Sequence, residues 1–188
     1  LTRQGSAAFA EVEAMGFTPN ATLINDIDSA ATVLAIGNGQ DLESVGLDKL
    51  AYLDDEIVAI KAVNLGAGTI TVERGILDTV PVTHLAGARL WFADGVEALI
   101  TEQYLSGESL QVKLLPSTGM GRLAESAATA DSYTFAKRMI RPYPPGNVRV
   151  NNVMWPTVIL GQMALTWAHR DRMQQSVYLV TQSEGNIG

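Results

Sequence analysis

The chain has 188 residues, 47% of them hydrophobic, enough to bury a core in one domain or in one domain plus part of another. Its formal net charge of −7 excludes the clamping of phosphates as the expected mode of action, because nucleic-acid binding draws on clustered Lys and Arg. The chain has no cysteine, which removes disulfides, thiolate metal sites and a cysteine nucleophile, and no run reaches the roughly 18 apolar residues of a helical membrane span.

Residues 1–20 give a helical signal, with Ala8, Phe9, Val12 and Met15 at helical spacing and Gly16 placed to stop the turn. Two apolar runs, 21–24 and 31–36, read as short strands around a turn-prone stretch at 25–29. The strongest hairpin is central: 56–63 is rich in Ile, Val and Ala, 64–68 is a loop with two glycines, and 69–73 alternates so that Ile70 and Val72 face inward. Residues 78–87 are irregular, and 89–93 form the next strand around Trp91.

Residues 96–104 fit both helical and strand spacing. A strand is the better reading if they pair with the alternating Leu110, Val112 and Leu114 in a second hairpin. The small, polar stretch 117–130 reads as a surface loop, and 133–140 as a closing strand. Pro142, Pro144 and Pro145 then fix φ and push their neighbours toward extended geometry, making 141–151 a stiff joint. Beyond it Leu165, Trp167 and His169 alternate with Ala164, Thr166 and Ala168, the period of a strand with a buried Trp-bearing face.

The fold expected is mainly β: a small β-barrel or sandwich built from hairpins, followed by the start of an immunoglobulin- or fibronectin-like sandwich. The organisation is an N-terminal segment at 1–20, a β-rich module at 21–140, the joint at 141–151 and a partial module at 152–188. The absence of an initiating Met and the ending in what reads as mid-module suggest a piece of a longer protein.

Chemistry is sparse. Asp54 and Glu56 would share one strand face, a spacing that suits a cation or an acid/base pair, although acids at the mouth of a strand are usually solvated. His84 and His169 lack a second His at metal spacing, and no G-x-S-x-G elbow or complete phosphate loop occurs. No cofactor is expected, and an enzyme is not the reading favoured. Trp91, Trp155 and Trp167 read more readily as core anchors than as sugar platforms, Trp155 being the one expected to be exposed. Burial would make Trp167→Ala cost about 3–5 kcal/mol.

Several blocks, in order, carry a family resemblance: Asp54 to Ile57, residues 69–81 with His84, residues 112–116, RPYPPGNVRVN at 141–151, LTWAHRDRMQQ at 165–175 and the closing GNIG. Over roughly residues 30–188 the chain resembles a large group of bacteriophage tail proteins in which this joint leads to a fibronectin-like module. The resemblance implies a virion structural role at the tail tip, baseplate or fibre attachment, assembled in the host cytoplasm. It also implies other tail proteins as partners, threefold or sixfold homo-oligomers and contact with the host surface. Pro142, Pro144, Pro145 and Trp155 would then set the interdomain joint and Trp167 would anchor the module. The alternative is a glycan-binding or glycan-cleaving module using Asp54, Glu56 and Trp91.

Overall fold

The computed structural model describes residues 2–4, 8–12, 14–93, 102–173 and 181. Among them are thirteen strands and three single-turn 3-10 segments, and no α-helix. The strands are β1 (Thr2–Gln4), β2 (Asn20–Leu23), β3 (Val33–Gln40), β4 (Leu50–Leu53), β5 (Glu56–Asn64), β6 (Thr69–Glu73) and β7 (Arg89–Phe92). They continue with β8 (Ser109–Val112), β9 (Ser117–Thr118), β10 (Gly121–Arg122), β11 (Asp131–Thr134), β12 (Gly146–Val150) and β13 (Leu165–Ala168).

Six of them close an antiparallel barrel in the order β2-β3-β6-β5-β4-β7, with β7 pairing back to β2. Each strand supplies two side chains to the interior: Ala21 and Leu23, Leu34 and Ile36, Ala51 and Leu53, Val58 and Ile60, Ile70 and Val72, Leu90 and Phe92. Each pair is spaced by two, the strand period that the central hairpin displays in the sequence. Large residues face small ones across β7, with Leu90 opposite Ala21 and Phe92 opposite Ala51, which is how a narrow barrel is filled without voids.

Lys61 is an extra residue in β5, because Ile60 pairs with Val72 and Ala62 already pairs with Thr71. This bulge resets the alternation. Ile60 faces in, Lys61 and Ala62 are exposed, and Val63 again packs on the core opposite Ile70. On the other face of β5, Ile57 and Ala59 are buried against Ile76, so the first half of the strand is covered on both sides.

The chain divides into two units, Leu1–Gly16 with Glu97–Arg141, and Phe17–Val96 with Pro142–Gly188. This partition interleaves the expected 21–140 module, and the chain re-enters the barrel-bearing unit at Pro142, where the Pro-rich joint begins. In the first unit β8 is the centre of a three-stranded sheet between β1 and β11. The helical expectation for 1–20 is therefore corrected: Thr2–Gln4 is a strand held by pairing to β8, and a sequence-distant partner outweighs the local apolar spacing. The second hairpin is corrected too, since both edges of β8 are occupied; residues 94–101 lie outside the described residues.

Within 117–130 the expected loop contains a two-stranded ribbon, β9 with β10, and a single 3-10 turn. The closing strand is shorter than expected, ending at Thr134. Tyr104 stacks on Phe135 at 4.4 Å between ring centroids, and Tyr133 meets the same ring edge-on. In the second unit β12 starts at Gly146, inside the segment expected to be joint, and pairs with β13 across a bulge.

Candidate functional site

Antiparallel pairing places the β2–β3, β4–β5 and β6–β7 connections at the same end of the barrel. Glu56 continues the inward series of Val58 and Ile60 by two residues, and Arg74 likewise continues Ile70 and Val72. Both side chains therefore come to this end, where they meet in a buried, two-pronged ion pair: Arg74 Nε donates to Glu56 Oε1 and Arg74 Nη2 to Oε2, both at 2.7 Å.

The rest of the guanidinium is fully used. Nη1 donates to the carbonyls of Asp28 and Ala31 in the β2–β3 connection, and Nη2 also donates to the carbonyl of Val82 in the β6–β7 connection. All five N–H donors of an arginine are thereby engaged. The carboxylate of Glu56 accepts further bonds from the backbone N–H groups of Gly75 and Val82, and Nε2 of His84 lies 3.0 Å from its Oε2. Burial pushes the Glu56 carboxyl toward protonation, but the bonds from Arg74, His84 and Val82 outweigh it and hold Glu56 below the usual carboxylate range.

His84 is buried, and its Nδ1 is 2.8 Å from Oδ2 of Asp54 in the two-residue turn between β4 and β5. The acids singled out in the sequence are thus brought together, but with an imidazole between them rather than across a groove. Asp54, His84 and Glu56 do not form a metal-holding group; none occurs among the described residues. The chemistry of the cluster is cohesion. It ties three connections that are distant in sequence to one end of the barrel.

Trp91 sits apart from these acids. It points away from the interior, opposite Tyr52 on β4 and Asn20 on β2, and is 44% exposed. The Arg89 guanidinium lies 5.2 Å from its ring centroid and donates to Asn20 Oδ1 at 2.6 Å. Trp155, at 37% exposure, is the least exposed of the three tryptophans and has a left-handed φ of 52°. The Asn151 and Asn152 pair, with φ of 52° and 67°, makes the preceding tight turn between Val150 and Val153, a conformation that Asn tolerates better than most residues.

Trp167 departs furthest from its expected role. Burial does not alternate on β13: Leu165, Thr166 and Trp167 are all exposed, Trp167 at 62%, and Ala168 is the buried residue. Trp167 is therefore not buried as an anchor would be. Trp167→Ala is accordingly expected to change stability by about 1 kcal/mol or less in urea denaturation, and a larger loss would show that this ring is buried. Val158, Leu160 and Met163 are exposed on the same stretch of chain. Within the joint, Tyr143 has the guanidinium groups of Arg172 and Arg170 at 4.2 and 5.0 Å from its ring centroid. Pro142, Pro144 and Pro145 lie in irregular chain ahead of β12.

The Glu56–Arg74 pair is the feature that sequence reasoning missed, although its signal was there. The inward parity that selects Ile70 and Val72 also selects Arg74, and only an opposed acid makes such an arginine tolerable. No protein-family model and no curated protein matches the chain.

Proposed function

We propose that this chain is a structural component of a phage tail, at the tail tip, baseplate or fibre attachment, and that it acts through protein–protein assembly. The observation that supports this reading is the run of exposed large apolar side chains from Trp155 through Val158, Leu160 and Met163 to Leu165 and Trp167. Such side chains, set out on irregular chain and a two-stranded sheet, lose contact with water when another protein covers them. The stretch lies between the blocks at 141–151 and 165–175 that resemble tail proteins and runs into the second of them, and the β12–β13 pair is read as the opening of a fibronectin-like module. Partners are other tail proteins and further copies of this chain in threefold or sixfold arrangement, with host-surface contact as an additional role. Affinity in such assemblies is spread over interfaces of about 1,600 Å² rather than centred on one reacting group.

The test is a photo-crosslinking amino acid placed at Trp167 in assembled particles from the source. Covalent adducts to a second protein chain are the expected result; adducts confined to the chain itself would remove the reading. A second reading, a host-surface glycan-binding or glycan-cleaving module, is favoured by the exposure of Trp91 directly opposite Tyr52 on the outer barrel wall. It predicts glycan retention that Trp91→Ala abolishes.

A further inference from the structure

We propose that Asp54, His84 and Glu56 form a proton-operated latch that fastens the β4–β5 turn to the β6–β7 connection at one end of the barrel. The protons available to the cluster determine which contacts it can make. Glu56 accepts from Arg74 and from the N–H groups of Gly75 and Val82, and an ionised carboxylate offers acceptors only. Its 3.0 Å contact with His84 therefore needs the proton on Nε2. The 2.8 Å contact between Nδ1 and Asp54 then needs a second proton, on Nδ1 itself.

The closed latch thus holds one proton more than a neutral imidazole facing an ionised Asp54. Once that proton leaves, two lone pairs confront each other at 2.8 Å and the contact opens. Of the two acids, Asp54 is the one able to withdraw. Its side chain is 54% exposed and it stands on a two-residue turn, whereas Glu56 is buried and pinned by Arg74.

The other charged groups around the cluster are committed elsewhere. Arg74 faces Glu56, Asp28 turns its carboxylate to the N–H groups of Ala30 and Ala31, and Asp26 accepts from the N–H of Ala86. Asp55 shares the turn with Asp54. His84 itself stays in place when the latch opens, because its backbone pairs with Ile27 in both directions, at 2.9 and 3.0 Å. Opening frees the turn and leaves the barrel intact. Rising pH releases the proton and opens the latch, and falling pH closes it.

The experiment is nuclear magnetic resonance on the full chain, following the His84 ring nitrogens and the backbone amides of Asp54 and Asp55 from about pH 5 to 8. Expected are two protonated ring nitrogens at the acid end, loss of the Nδ1 proton as pH rises, and amide shifts at Asp54 and Asp55 that move in step with it. In Asp54→Asn the side-chain amide can donate to a neutral Nδ1, so those amide shifts should stay still while the barrel strands keep their wild-type spectrum. Three results would each overturn the proposal: unchanged ring protonation across the range, proton loss without movement at Asp54 and Asp55, or the same movement in Asp54→Asn.

Discussion

Arg74→Ala is expected to destabilise the barrel-bearing unit by about 3–5 kcal/mol, measured by urea denaturation, because it strands a buried carboxylate without its counter-charge. The loss exceeds one ion pair: the carbonyls of Asp28, Ala31 and Val82 lose their donor in the same step. Replacing both partners, as Glu56→Leu with Arg74→Met, should cost less than Arg74→Ala alone, since paired apolar groups of similar volume leave no charge to desolvate. A double variant as unstable as the single one would place the cost in packing instead.

The same pair gives an acid limit. The Glu56 carboxyl is held below its ordinary value of 4.5 in the folded chain, so its contribution is fully present above about pH 4.5 and is lost as pH falls through the lower folded value. Wild-type stability should therefore fall at the acid end of a pH series, and a Glu56→Gln chain should show a smaller fall there.

Phe92→Ala is the second large effect, at about 3–5 kcal/mol. Phe92 is the largest of the side chains fully buried in the barrel, and it fills space left by Ala51 on the neighbouring strand. The surrounding strands form a closed ring and cannot collapse inward to fill the gap. Phe92→Leu should recover part of the loss by restoring volume. If Phe92→Ala unfolds at wild-type denaturant concentration, the closed barrel is not the core of this unit.

The barrel was legible wherever apolar residues alternate in runs long enough to display a period. The β5–β6 hairpin and β7 could be read directly, since Ile70, Val72, Leu90 and Phe92 repeat at two-residue spacing. Strand β4 was not read from the sequence; its inward pair includes an alanine, Ala51, whose smallness is what Phe92 requires. The strand at Thr2–Gln4 could not be read locally, because its pairing partner lies more than a hundred residues away, with Thr2 opposite Val112. For the site, the sequence placed Asp54 and Glu56 on one face, but what lies between them depends on His84 returning from the irregular 78–87 stretch. Trp167 illustrates the opposite failure: alternation marks a strand but does not say which face another surface covers.

The role proposed for the chain is that of a built-in part of a phage tail. Electron microscopy of intact particles from the source, decorated with an antibody against residues 1–140, tests it most directly. Label concentrated at the tail tip or baseplate is the expected result; intact, accessible tails without label would remove the proposed role.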